Sequence, residues 1–267
     1  RPDWSAPQRL AYTCRLADLL ANLLPDGLSG SISTVPIAYR ADAPRATPTA
    51  LNHLIEAAHH LHHLHEKTGR LIQLALEPEP DCLLETTADC IAFFNHLPDG
   101  DVLRKHIGLC FDTCHFAVQF EELTDSLRRL RHAAIAIPKL QISAALQTDT
   151  AHAERLRPFC DPVYLHQTRI RRTDGTIIPY PDLTEALDRE AHHNHDPNEP
   201  WRTHYHVPLY FQPDAGLQST ADLLTPHFFQ AALNTGIPHF EIETYTLHVL
   251  PHAHRPENLT ESLLREY

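Results

Sequence analysis

Methionine is absent from the 267 residues, and lysine occurs only at Lys67, Lys105 and Lys139. The first absence leads to the expectation of a fragment or processed form, because an open reading frame begins with that residue. The second leaves no basic tract of the kind that marks a nuclear or membrane-surface signal. With a formal net charge of −12, the chain is also a poor general binder of polyanions, since non-specific nucleic-acid affinity comes largely from Lys and Arg neutralising phosphates. No nucleic-acid partner is expected. No uninterrupted apolar run approaches the roughly 20 residues of a membrane span, and no signal-peptide pattern opens the chain. These absences lead to the expectation of a soluble, cytoplasmic protein. The six cysteines, Cys14, Cys82, Cys90, Cys110, Cys114 and Cys160, contain no C-x-x-C and no tight disulfide framework, so reduced thiols are expected.

What is present alternates short apolar strands with helical stretches, the βαβα rhythm of a parallel sheet. Strands are predicted over 26–39, 70–80, 106–112, 136–143, 201–211 and 238–246. Between them the pattern predicts a helix over 47–69 that stops at Gly69, one over 85–97, one from the 106–112 strand through about Arg131, and one over 219–236 capped by Gly236. "VYLHQTRIRRTDGTIIPY" (163–180) carries two β-rich runs around Asp174-Gly175, a hairpin signature. The stretch 188–200 reads as a polar loop. Six strands of β/α type, with a hairpin and loop inserted over 160–200, point to a single α/β domain. A TIM (β/α)₈ barrel has eight such strands in roughly 250 residues, so the expectation is a partial barrel, about strands three to eight, with its N-terminal strands missing.

Barrel chemistry is placed where strands end at the C-terminal face, and the candidates follow from position. Glu77 ends "LIQLALE", Asp112 ends "HIGLCFD", Gln141 lies late in "IPKLQIS", His204 and His206 lie in "WRTHYHV", and Glu243 lies late in "HFEIET". Carboxylates converging on one point repel each other and raise their pKa values unless a cation neutralises them. Carboxylates, an amide oxygen and histidines form a mixed oxygen and nitrogen set suited to Zn²⁺, Mn²⁺ or Mg²⁺, with no thiolate required. In "LCFDTCHF" (109–116), strand alternation puts Cys110 and Asp112 on one face, and His115 follows from the first turn of the next segment. Cys110 reads as a small core residue and Cys114 as a spacer. Each candidate has a plainer reading alone: Asp112 as a helix N-cap, Glu77 as a solvated turn residue, His204 and His206 as ordinary strand residues. Their joint placement at strand ends favours a site. The histidines of "HHLHHLHEK" (59–67) interleave with Leu61 and Leu64 and read as the solvated face of an amphipathic helix. Those of "AHHNHD" (191–196) read as surface.

"GLCFDTCHF" resembles the corresponding segment of the xylose-isomerase-like TIM barrels, most closely the endonuclease IV branch, where an Asp and a His in a D-T-C-H run bind separate metal ions. "LALEPEP" resembles that superfamily's bridging-glutamate strand, "EIET" resembles its last ligand strand, and "HYH" lies where the endonuclease branch has a D-x-H pair. The resemblance implies one metal site of Glu77, Asp112, Gln141 and Glu243, and a second of His115 with His206 and His204. Gln141 stands where a histidine ligand is usual, and Ser33 and Thr34 stand where third-site histidines would. A trinuclear phosphodiesterase centre is therefore not expected.

Longer runs, "RPDWSAPQRLAYTCRLADLLANLLPDGLSGSISTVPIAY", "WRTHYHVPLY" and "EIETYTLHVLP", resemble the EboE-type metabolite traffic family, encoded in clusters that include a prenyltransferase. That implies a small secondary-metabolite precursor as ligand, with the membrane prenyltransferase or other proteins of the same cluster as partners. Three functions compete. The first is a divalent-metal isomerase or epimerase of the sugar-isomerase type, with Glu77 and Glu243 shuttling the proton and Lys139 stabilising an enolate or an acidic substituent. The second is a non-catalytic metabolite carrier. The third is a phosphoesterase acting on DNA lesions, which the charge opposes. The expectation leans to the enzyme.

Overall fold

The computed structural model describes residues 2–98, 100–192, 196–244, 250–256 and 258–267. In chain order its elements are α1 (Pro7–Leu23), β1 (Gly30–Thr34), α2 (Ala43–Thr68), β2 (Ile72–Leu76), α3 (Thr87–His96), α4 (Asp101–His106), β3 (Ile107–Asp112), α5 (Thr113–Val118), α6 (Leu123–His132), β4 (Lys139–Ile142), β5 (Ala144–Asp149), β6 (Thr168–Arg171), β7 (Ile177–Tyr180), α7 (Leu183–Glu190), β8 (Pro200–Val207), β9 (Gln218–Ser219), α8 (Pro226–Asn234), β10 (His239–Ile242) and α9 (Leu259–Glu266). The fold is mixed α/β, with two five-stranded sheets in the orders β1-β2-β3-β4-β10 and β7-β6-β8-β5-β9. The chain divides into two compact units. One holds residues 1–112, 124–140 and 231–241; the other holds 113–123, 141–230 and 242–267.

In the first unit β1, β2 and β3 run parallel, with Gly30 opposite Ile72 and Leu74 opposite Ile107. Parallel neighbours need a crossover, and α2 supplies the first, α3 and α4 the second. Every residue of β3 is buried, and β2 nearly so. That is the near-continuous apolar reading of a strand covered on both faces. The helix α2 lays Ala50, Leu54, Ala57, Ala58 and Leu61 into the core and ends at Gly69, whose φ of 72° is the left-handed stop that glycine allows. A capping box of Thr86 and Asp89 starts α3. His239 on β10 reaches Ser31 Oγ at 2.8 Å and the Ser29 carbonyl at 3.2 Å. The last strand thus comes back beside the first, and the sheet curls into a half-barrel.

The second unit is built on antiparallel pairing. β6 and β7 form the hairpin expected at Asp174-Gly175, with Gly175 at φ 88°. β8 lies between β6 and β5, antiparallel to both. Leu146, Leu156, Phe159, Ile170, Tyr180, Leu187, Trp201 and Tyr205 form its core. The run 201–211 is therefore not the parallel barrel strand that its apolar pattern suggested. Apolar patterning tells which face of a strand is buried and leaves strand polarity open. Here Ser143 separates β5 from β4, and β5 offers its ladder to β8 and β9.

Other differences are local. The helix expected through Arg131 breaks into α5 and α6 around Phe120, at φ 58°. The helices α1, α4, α7 and α9 had no sequence prediction, and α7 runs to Glu190, into the stretch expected as a polar loop. The histidine-rich face of α2 is only partly solvated. His59 and His63 are exposed, but His60 meets Asp18 Oδ1 at 2.9 Å, and His62 and His65 pack edge-on against His106. His193 and His195 of the 191–196 loop, and Tyr245 and Thr246 of the last predicted strand, lie outside the described residues. All six cysteines are free thiols. Among the described residues no helix is long and apolar enough to cross a membrane.

Two positions carry testable strain or charge. A Cβ on Gly108 would lie 2.6 Å from both the Ala136 carbonyl oxygen and Pro138 Cδ. Gly108→Ala is expected to cost about 1–3 kcal/mol and to lower the melting temperature by several degrees. In the second unit Arg172 bridges Glu190 at 2.6 Å and Glu199 at 2.8 Å, and Tyr180 donates its hydroxyl hydrogen to Glu190. Burial and that bond push the Tyr180 phenol up to about 12. Arg172→Met strands two buried carboxylates and is expected to cost about 3–5 kcal/mol. Arg189→Met, which breaks the exposed pair with Glu185, should cost under about 1 kcal/mol. Calorimetric unfolding of the three variants checks both expectations.

Candidate metal centre

His115 owes its position to bonds between its two preceding residues and Ser143. The Thr113 hydroxyl donates to the Ser143 carbonyl at 2.7 Å and accepts from the Ser143 N–H at 2.9 Å, while the Cys114 N–H donates to Ser143 Oγ at 2.9 Å. Cys114, Val118 and Ala145 then pack together as a buried cluster. These contacts lock α5 against the start of β5, and His115 is its third residue.

His204 and His206 come from β8. The ladder with β5 shifts between Ala145, opposite His206, and Leu146, opposite Thr203, so His204 and Tyr205 are the unmatched residues of a bulge. A bulge of this kind re-aims side chains. His204 and His206 both face His115, and Tyr205 goes into the core against Phe159.

The three imidazoles are buried, at 4, 9 and 2 % exposure for His115, His204 and His206. His115 Nε2 lies 2.9 Å from His204 Nε2 and 3.4 Å from His206 Nε2. The ligand atoms of all three fall within 4.8 Å of one another. Their partners fix the protons. His204 Nδ1 is 2.8 Å from Gln167 Oε1, and His206 Nδ1 is 3.1 Å from the Glu243 carbonyl oxygen. Both oxygens only accept, so each ring donates from Nδ1 and turns the lone pair of Nε2 inward. Burial, with the nearby His115 and His206 rings adding to it, holds His204 well below the usual imidazole range, and it stays neutral.

This donor set fits a cation. Two inward lone pairs meet a third ring nitrogen that can bring at most one proton, and a positive ion satisfies all three at once. Imidazoles bound tetrahedrally at about 2.0–2.1 Å place their ring centroids about 5 Å apart. Here the centroids are separated by 4.5, 5.4 and 5.4 Å. A side-chain amide and a backbone carbonyl holding the outer ring nitrogens are the usual support of metal-bound histidine.

Among the other residues singled out from the sequence, Gln141 is buried in β4 and its carbonyl accepts from Thr113 Oγ1 at 3.2 Å. Glu243 donates its N–H to the Ile142 carbonyl at 3.0 Å and meets His206 through its own carbonyl. Both belong to the unit that holds the histidines. Glu77 and Asp112 belong to the first unit. Glu77 directly follows β2, with its N–H on the Thr34 carbonyl at 2.9 Å, and Asp112 is the fully buried last residue of β3. Lys139, in the first unit, pairs with Glu241 at 2.5 Å. Sequence reasoning passed over Gln167, Thr113 and Ser143. Gln167 holds His204 across the β6–β8 pairing, and only knowledge of that register would have found it.

No protein-family model and no curated protein matches the chain. Among the solved structures similar to it are the following two. A xylose isomerase-like TIM barrel protein from Mycobacterium smegmatis, in complex with magnesium, is 15% identical with a TM-score of 0.47, over 90% of this chain and 61% of that one. The IolI protein with a bound zinc atom is 17% identical with a TM-score of 0.35, over 50% of this chain and 43% of that one. The chain spans less than two thirds of the length of either.

His204→Ala is expected to weaken Zn²⁺ or Co²⁺ binding at this centre by more than about 100-fold. Gln167→Leu leaves all three imidazoles in place and should weaken it about 10- to 100-fold through loss of the fixed tautomer. Titration calorimetry on correctly folded protein decides, and wild-type affinity in Gln167→Leu would refute the role given to the amide.

Proposed function

We propose that the protein is a divalent-metal-dependent, xylose-isomerase-like barrel protein of the EboE type that isomerises or epimerises a small secondary-metabolite precursor in the cytoplasm. The observation that carries the reading is the buried trio His115, His204 and His206, with two of its tautomers set so that the lone pairs converge. A metal bound there supplies Lewis-acid polarisation of a substrate carbonyl or hydroxyl oxygen. The chain supplies the rest. The three rings hold the ion, Gln167 and the Glu243 carbonyl orient two of the rings, and the low exposure of all three keeps competing water out. The Glu243 carboxylate, on the residue whose carbonyl holds His206, takes the proton-shuttling role. The further roles of Gln141 as ligand, of Glu77 as second proton carrier, of Asp112 as ligand and of Lys139 as enolate-stabilising cation rest on the sequence reading. The proposed partners, beyond the metabolite, are the membrane prenyltransferase or other proteins of its gene cluster.

The test begins with metal analysis of tag-free protein, which should show a stoichiometric divalent ion; none would end this reading. Small hydroxycarbonyl and polyol metabolites are then incubated with the protein in deuterated water. Exchange of deuterium into the carbon next to the carbonyl, abolished in Glu243→Gln with metal retained, is the expected result. A metal-loaded protein that binds metabolite and exchanges nothing is a carrier, and one that cleaves an abasic-site oligonucleotide is a phosphoesterase.

A further inference from the structure

His106, the last residue of α4, is completely buried. Its Nδ1 lies 2.8 Å from the Ile72 carbonyl oxygen, which only accepts, so the proton sits on Nδ1 and Nε2 carries a lone pair. That Nε2 is buried and has no hydrogen-bond partner among the described residues. A buried acceptor left so is destabilising and calls for a reason.

Two rings of α2 stand over it. His62 and His65, three residues apart and hence on one helix face, place their ring centroids 5.7 and 6.1 Å from that of His106, edge-on in both cases. The Nδ1 atoms of both are buried and without a hydrogen-bond partner among the described residues. His62 turns its Nε2 outward toward Glu66 Oε1, 3.5 Å away, and keeps Nδ1 on the buried side. A carboxylate on the outer nitrogen of one ring and a backbone carbonyl on that of another repeat the support seen in metal-bound histidines.

We propose that His62, His65 and His106 form a second metal centre in the first unit, taking Zn²⁺ or a similar borderline cation through His62 Nδ1, His65 Nδ1 and His106 Nε2. Imidazole is the ligand such ions prefer. The separations from His106 are wider than the roughly 5 Å of a tetrahedral site, and the three donor atoms do not yet lie within one coordination sphere, so binding requires His62 and His65 to rotate about their own side-chain bonds toward His106. His62 keeps a third of its side chain exposed, which leaves a way in. Burial lowers the His106 pKa and keeps that ring neutral. The bound ion would tie α2 to the end of α4 immediately before β3.

The test uses the full chain without a polyhistidine tag and Zn²⁺ as the probe. The His115→Ala/His204→Ala variant, in which the other centre is disabled, should still bind one Zn²⁺ per chain and should melt at a higher temperature with Zn²⁺ than without. Adding His62→Gln and His65→Gln should abolish both the binding and the shift, whereas His59→Gln/His63→Gln on the exposed face should change neither. Replacing Zn²⁺ by Co²⁺ should give the intense visible bands of tetrahedral nitrogen ligation, lost in His106→Gln. Equal loss in the two α2 double variants would mean adventitious surface binding, and stoichiometry unaffected by His62→Gln/His65→Gln would overturn the proposal. Circular dichroism shows that each variant is folded; if His106→Gln is not, the α2 variants alone decide.

Discussion

Imidazole rings packed against one another out of water must match every nitrogen lone pair to a proton or to a cation, because nothing else in a dry interior can satisfy it. The second unit is arranged around that constraint. Gln167 and the Glu243 carbonyl use up the outer nitrogens of His204 and His206, which forces the inner ones to converge. The reciprocal bonds between Thr113 and Ser143 bring His115 to meet them. The bulge in β8 then allows two neighbouring histidines to face the same way while Tyr205 between them anchors the strand in the core. Each of these features would be a small cost in isolation, and together they hold three donors within one coordination sphere.

The two units solve different problems. The parallel sheet of the first is buried on both sides and needs long helical crossovers, which is why β2 and β3 are almost wholly apolar. The antiparallel sheet of the second gathers residues far apart in sequence through ladders alone: β5 to β8, and β6 to β8. That is a convenient way to bring a glutamine from one strand under a histidine of the next. It places the supporting amide by backbone register, with the His204 N–H donating to the Gln167 carbonyl at 2.8 Å.

Much of the first unit was legible in the sequence. Apolar runs ending in Pro or polar residues gave β1 to β4 in order, and Gly69 marked the end of α2 because only a residue at ease with positive φ closes a helix that way. The hairpin at Asp174-Gly175 was legible for the same reason. The polarity of β8 was not, since alternation is identical for a strand run in either direction. The helix α1 carries exposed Tyr12, Leu19 and Leu23, which blurs the periodicity that would have announced it. At the site, strand position singled out His204 and His206, and the turn after a strand singled out His115, but the residues that fix their protons gave no local signal. The histidines of α2 were misjudged in part because His106, their neighbour, is distant in sequence.

Arg172 holds Glu190 at the end of α7 and Glu199 just before β8. Both ends of the intervening stretch are therefore pinned by a single guanidinium, and part of the entropy of closing that loop is borne by the clamp. Within the second unit that loop is the place where related sequences could differ most in length and composition without moving β8, and so where a lineage could add contacts for a new ligand or partner while leaving the histidines undisturbed.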